Sequence, residues 1–281
     1  MTEPLVSIEN LRVSFATEDG SEVPAVRGVS FSLGREKLGI VGESGSGKSL
    51  SGRALMGVLP GAARMRADRM RFDGIDLLTA SARSRRDLRG SRMAMVLQDP
   101  KFSLNPIMRV GLQIVEALRI GARHISARAA RTQTLAMLEA VQIRDPERVF
   151  DLYPHELSGG MGQRVMIAMM VVREPDLLIA DEPTSALDVT VQGQVLSIMD
   201  ELVTRRGMGL ILISHDLNLV SRFCDRVLVM YAGRVVEEIR ARDLHAAQHP
   251  YTRGLMACLP SIDGPQNPLP VLDRQAAWAE D

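Results

Sequence analysis

The chain is poor in lysine: only Lys37, Lys48 and Lys101 occur, and the remaining basic residues are arginine. Excess charge of either sign is also missing. The 34 Lys+Arg balance 34 Asp+Glu, for a formal net charge of +0, so composition offers no electrostatic footprint of a nucleic-acid binder. The two cysteines, Cys224 and Cys258, lack metal-type spacing. They argue against a disulfide framework and fit a reducing compartment. No apolar run approaches the roughly 18 residues that a membrane-spanning helix needs. The longest candidate, residues 165–172, has the length of a buried element. Residues 1–10 show neither the basic start nor the apolar core of a secretory signal. Any membrane work is therefore expected to pass through a partner.

What is present looks globular. The 281 residues are 46% hydrophobic and 24% charged, enough for one large α/β domain or two small ones. Strand patterns are expected at 5–8, 11–15, 26–33 and 37–41, and a hairpin over 69–78. A helix is expected over 48–59, stopped by Pro60-Gly61. Residues 83–92 carry five arginines. A solvated helix face is the favoured reading of that run and a nucleic-acid surface the other. Residues 110–142 are Ala-rich with helical periodicity, as in an all-helical insert. Short apolar strands at 93–97, 177–180, 210–213 and 226–230 alternate with helices at 161–173, 191–205 and 217–223. Such alternation implies a mainly parallel sheet covered on both faces. The Pro-rich segment after His249 is expected to be loosely ordered toward its end.

Gly42-Glu43-Ser44-Gly45-Ser46-Gly47-Lys48-Ser49 fits the phosphate-loop pattern GxxxxGK[ST], and it lies between an apolar strand and a helix. Glycines let the backbone turn tightly and aim N–H groups at phosphate oxygens, and the new helix adds its positive end. Lys48 is placed to reach the β- and γ-phosphates and Ser49 to bind Mg²⁺. A lysine here stands out in a chain that rarely uses one. Leu177-Leu178-Ile179-Ala180 delivers two adjacent acids, Asp181 and Glu182, to a strand end, where α/β folds bind ligands. Asp181 suits Mg²⁺ and Glu182 suits polarising an attacking water. His215 follows the strand at 210–213 in the same manner. Gln98 ends a third strand, where an amide can bind Mg²⁺ or water and sense the γ-phosphate. Leu157-Ser158-Gly159-Gly160-Met161 opens another helix, with Ser158 as N-cap and two glycines exposing N–H groups. It reads either as a second anion site or as a helix cap without a ligand.

This ordered set resembles the ABC transporter ATPases over essentially the whole chain. On that resemblance, residues 42–49 look like Walker A, 177–182 like Walker B and 157–161 like the signature motif. Ser185-Ala186-Leu187-Asp188 look like the D-loop, Gln98 like the Q-loop and His215 like the switch histidine. Phe15 falls where the family stacks an aromatic ring on adenine. The resemblance implies a P-loop NTPase (RecA-like) α/β core with an N-terminal antiparallel β-subdomain and an all-helical signature subdomain. The ATPase domain would cover 1–245, with the helical part over about 106–173, and a tail over 246–281. ATP and Mg²⁺ are the implied cofactors. Ser49, Gln98 and Asp181 would serve the metal, and Glu182, His215 and Gln98 the hydrolysis. Phe15, Gly42, Ser44, Gly45, Ser46, Gly47, Lys48, Ser49, Asp181, Ser158, Gly159, Gly160 and Asp188 would hold nucleotide. The implied assembly is a head-to-tail dimer, in which the P-loop of one subunit and the signature of the other clamp each ATP.

Within that family the chain looks like the oligopeptide/dipeptide importer branch, which includes nickel and opine relatives. The carrying segments are residues 153–161, Gln98-Asp99-Pro100 through Ser103-Leu104-Asn105-Pro106, and His249-Pro250-Tyr251-Thr252. This implies a second ABC ATPase subunit, different or identical, two transmembrane permease subunits and an extracytoplasmic solute-binding protein reached indirectly, with no nucleic acid. It also implies a peripheral position on the cytoplasmic face of a bacterial inner membrane. A non-transport ABC ATPase, in DNA repair or translation, is the alternative; that class carries a coiled-coil insertion or tandem ATPase domains, and this chain has one set of motifs. Two departures from the pattern stand out. Gly162 occupies a position where these subunits usually have arginine, and a glycine in the first helical turns costs about 1 kcal/mol. The tail holds Cys258 alone, where some relatives carry a cysteine cluster.

Overall fold

A computed structural model describes residues 3–17, 19–100, 103–120, 125–185, 187–258 and 278. The chain divides into two compact units, Met1–Thr79 with Ile211–Asp281, and Ala80–Leu210.

In the first unit, β1 (Val6–Ala16) and β2 (Glu22–Leu33) pair antiparallel from Val6↔Leu33 to Ala16↔Glu22. Alternation predicts two short strands at 5–8 and 11–15, but the structure joins them. Asn10 takes a φ of 52° and the register shifts between Ile8 and Leu11, so the ladder absorbs the irregularity as a bulge. β3 (Lys37–Val41) is buried almost throughout and leads through the glycine-rich loop to α1 (Lys48–Met56). α1 stops short of the expected end at 59. Gly57, at φ 64°, turns left-handed and returns its N–H to the Ala54 and Arg53 carbonyls. β4 (Ala63–Arg66), β5 (Arg69–Phe72) and β6 (Ile75–Asp76) complete a sheet ordered β2-β1-β5-β6, with β4 also on β1. β4 escapes sequence reading because both its outward residues, Arg64 and Arg66, are charged. The inward face is apolar, with Val6, Ile8, Leu11 and Val13 fully buried.

The second unit is mainly helical. Ser81 caps α2 (Ala82–Ser91) by accepting the Ser84 N–H. α2 buries only Leu88, so Arg83, Arg85, Arg86 and Arg89 lie on its solvated side, while Arg92 lies beyond it. β7 (Met93–Val96) follows, then α3 (Val110–Arg119), α4 (Ala127–Ala140), α5 (Pro146–Phe150) and α6 (Gly159–Val171). Ile114, Leu138 and Met166 on α3, α4 and α6 are among the largest fully buried side chains. A Cβ on Gly111 would lie 2.2 Å from the Phe150 ring, so that glycine sets how closely α3 and α5 approach. β8 (Leu177–Asp181) runs parallel to β7, from Met93↔Leu177 to Val96↔Ala180, and α7 (Val189–Arg206) ends at Gly207 with φ 58°. Arg92 and Asp176 lock the start of both strands with an Nε–Oδ2 contact of 2.7 Å.

The fully buried β9 (Gly209–Ser214) brings the chain back to the first unit, where its residues from Ile211 onward lie beside β3. α8 (Leu217–Phe223) follows, then β10 (Arg226–Tyr231), β11 (Arg234–Arg240) and α9 (Pro250–Ala257). β10 runs parallel to β3 and antiparallel to β11. The Pro-rich reading of the tail misses α9. Pro250 sits in its first turn, where a missing N–H costs nothing, and the His249 Nδ1 accepts the Tyr251 N–H at 3.2 Å. Among the described residues, no helix is long and apolar enough to cross a membrane.

Candidate nucleotide-binding site

In the first unit, residues 42–47 bridge β3 and α1 with three glycines at positive φ: Gly42 at 147°, Gly45 at 83° and Gly47 at 94°. Two are also required by space. A Cβ on Gly42 would stand 2.1 Å from the Met230 carbonyl oxygen, and one on Gly47 would stand 2.7 Å from that of Ala25. Backbone contacts hold the loop's shape. The Ser46 N–H donates to the Glu43 carbonyl and the Gly233 N–H to the Ser46 carbonyl, each at 3.2 Å. Lys48 is buried, and its Nζ donates to the Gly42 and Glu43 carbonyls at 2.8 and 2.7 Å. The loop therefore wraps the lysine with its own oxygens.

Two observations fit this loop to a phosphate. α1 has no side-chain N-cap and no acid in its first turn, which leaves its positive end to an anion. The Ser46 Oγ is buried and has no hydrogen-bond partner among the described residues. A buried hydroxyl without a partner is costly, and a phosphate oxygen would satisfy it. Ser44 and Gly45 are exposed at the tip of the loop and Ser49 is half-buried in the first turn of α1. Phe15 lies near the end of β1, half-buried, opposite Val23. His215 is exposed just past β9, and Asp216 after it caps α8 by accepting the Leu219 N–H at 3.0 Å.

In the second unit, Asp181 is the last residue of β8 and is 4% exposed. Glu182 follows at φ 48°, an uncommon conformation for a non-glycine residue. Its carbonyl accepts the Ser185 N–H and Oγ at 3.3 and 3.2 Å, which stabilises the sharp turn after the strand. Gln98 is exposed just beyond β7. Because β7 and β8 are parallel, Gln98 and Asp181 leave their ladder at the same edge. Hydroxyl, amide and carboxylate oxygens are hard donors suited to Mg²⁺.

The glycine motif opens α6. The Ser158 Oγ accepts the Met161 N–H at 3.4 Å, so the expected cap is present. Ser158, Gly159, Gly160 and Asp188 line one pocket of about 650 Å³, together with Arg164 and Arg148. The glycine motif and Asp188, 28 residues later, thus share one concave surface. Asp188 also caps α7, its Oδ1 accepting the Thr190 and Val191 N–H groups at 3.1 and 3.0 Å. A Cβ on Gly160 would approach the Val191 Cγ1 to 2.6 Å, which makes that glycine the seat of the α6–α7 contact. Ala186 of the expected D-loop lies outside the described residues, as do 259–277 of the tail. Sequence reading missed the residues that brace the phosphate loop from behind: Met230, Gly233 and Tyr251. None belongs to a chemical motif, and the phrases that hold them, Met230–Arg234 and His249–Thr252, count only as family resemblance.

A strand, a glycine loop wrapping a lysine and a helix define a P-loop nucleotide-binding fold. Comparisons with known proteins agree. A family model described as ABC transporter matches residues 26–185. The chain is 46% identical to the dipeptide transport ATP-binding protein DppD of Bacillus subtilis, over 93% of this chain and 78% of that protein. It is 46% identical to the oligopeptide transport ATP-binding protein OppD of Salmonella typhimurium, over 92% and 77%. Among solved structures, the dimeric bacterial ABC transporter cassette MJ0796 superposes with a TM-score of 0.74 at 25% identity, covering 84% of this chain and 99% of that one. The cbiO1 subunit of a Clostridium perfringens ABC transporter gives 0.71 at 27% identity, covering 87% and 92%. The chain belongs to the ABC transporter family, as one of its ATP-hydrolysing cassettes.

Proposed function

We propose that this chain is the ATP-hydrolysing subunit of an importer for peptides or similar small solutes. The observation that carries the ATP reading is the loop at 42–47, whose three glycines at positive φ wrap Lys48 at the uncapped start of α1. The names of the relatives, dipeptide and oligopeptide transport ATP-binding proteins, support the solute class.

The residues divide the work by chemistry. Gly42, Ser44, Gly45, Ser46, Gly47 and Lys48 bind the phosphates, and Phe15 stacks on adenine. Ser49, Gln98 and Asp181 supply oxygens for Mg²⁺, which neutralises phosphate charge when bound. Among the described residues there is no group of three or more His, Cys, Asp or Glu able to hold a metal. Glu182 orients and deprotonates the attacking water, while His215 and Gln98 sense the γ-phosphate. Ser158, Gly159, Gly160 and Asp188 form the surface offered to the nucleotide of a second subunit.

ABC cassettes work as dimers with transmembrane permeases, and the second ATPase subunit here would be a different ABC ATPase or a second copy of this chain. Two permease subunits would carry the solute delivered by an extracytoplasmic binding protein, with this chain peripheral on the cytoplasmic face of the inner membrane.

Ser158→Asn tests the trans arrangement. It keeps a good N-cap for α6 while altering the surface offered to a partner. ATP-driven dimerisation should weaken about tenfold, which is 1.4 kcal/mol, with ATP binding by the monomer unchanged. Equal loss of both would count against the trans arrangement.

A further inference from the structure

The segment after β11 belongs to the same compact unit as the phosphate loop, and one of its side chains touches that loop. Tyr251, in the first turn of α9, is fully buried. Its hydroxyl accepts the Glu43 N–H at 3.1 Å. That N–H and the Gly42 carbonyl belong to one peptide group, and the Gly42 carbonyl accepts the Lys48 Nζ at 2.8 Å. A peptide group is planar, so fixing its N–H fixes the direction of its C=O. Tyr251 therefore grips, from the far side, the peptide that anchors the lysine.

The phenol is itself held. Its ring lies 4.5 Å from that of Tyr231 and 5.9 Å from Trp278, and Trp278 meets Tyr231 edge-on at 6.0 Å. Tyr231 directly follows Met230, whose carbonyl oxygen is what a Cβ on Gly42 would strike. The His249 Nδ1 accepts the Tyr251 N–H, which sets where the side chain leaves the backbone. The aromatic cluster and the glycine loop share one wall.

We propose that Tyr251 is a positioning residue of the phosphate loop, holding the Gly42–Glu43 peptide so that Lys48 is presented to a phosphate. This rests on reading residues 42–49 as the ATP phosphate site. Tyr251 touches no reacting atom, and its effect passes through the peptide it holds.

Tyr251→Phe in the full chain removes the hydroxyl and keeps the ring. Two readouts apply. In nucleotide-free protein, hydrogen–deuterium exchange of peptides covering 42–48 should quicken about fivefold, the equilibrium effect of one lost neutral hydrogen bond. In the assembled transporter, the KM for ATP should rise by about the same factor with kcat little changed. Tyr231→Phe, which removes a neighbouring hydroxyl from the same cluster, should move neither. Unchanged exchange at 42–48 in Tyr251→Phe would overturn the proposal, as would an equal change in Tyr231→Phe, which would point to ring packing instead. Lys48→Ala separates the two levels. If it binds ATP like the native chain, the phosphate-site reading fails, while the exchange result still decides whether Tyr251 holds the loop.

Discussion

Replacing Gly162 with alanine should stabilise the protein, and the same change at Gly160 should not. Both glycines lie in the opening turns of α6 (Gly159–Val171). The Gly162 N–H already makes a helical bond to the Ser158 carbonyl at 2.8 Å. An alanine Cβ there would lie 3.5 and 3.7 Å from Pro100 side-chain carbons, an ordinary contact. The gain is then the helix-propensity difference, about 1 kcal/mol. That corresponds to a melting point roughly 2–4 °C higher for a chain of this size. At Gly160 the same gain meets the Val191 Cγ1 at 2.6 Å. Valine is β-branched and stiff, so its methyl cannot simply swing aside. Overpacking of this kind costs about 1–3 kcal/mol, which cancels or outweighs the propensity term. Parallel thermal melts followed by circular dichroism would read both. The reasoning fails if Gly162→Ala melts lower than the native chain, or if Gly160→Ala melts as high as Gly162→Ala.

Two further outcomes follow from the geometry. Asp188→Ala should lower stability by about 1 kcal/mol, because its carboxylate caps α7, and Asp188→Ser should recover most of that loss; equal melting of Ala and Ser variants would show that the cap contributes nothing. Cys224 should resist alkylation in native protein at pH 8, because burial pushes its thiol up to about 12. One label, on Cys258, is expected by mass spectrometry, and two labels without denaturant would contradict the packing around α8.

Candidate site residues announce themselves by residue type, whereas the bounds of the elements that hold them do not. Motifs with chemistry, such as Gly42 to Ser49 or Asp181-Glu182, read directly because each residue type answers a ligand's charge or oxygen. Element boundaries shifted where one backbone dihedral decided the matter. Asn10 keeps β1 continuous through a bulge, and Gly57 ends α1 early; neither is visible in periodicity. The arginines at 83, 85, 86 and 89 lie on a helix in which only Leu88 is buried, as a solvated face requires. Residues that brace the loop stayed hidden for a different reason. Met230 and Tyr251 act through long-range contact, and their sequence neighbours say nothing about a loop some 200 residues earlier. Tyr251 sat inside a phrase that resembled a family, which gave it a label but no physical task.

We assign Glu182 as the group that activates water when this chain hydrolyses ATP. The direct measurement is ATP turnover by the purified transporter complex carrying Glu182→Gln, beside ATP binding by the same complex. The amide keeps the shape and loses the base. Binding should persist while turnover falls by about 10²-fold or more. Normal turnover in Glu182→Gln would contradict the assignment.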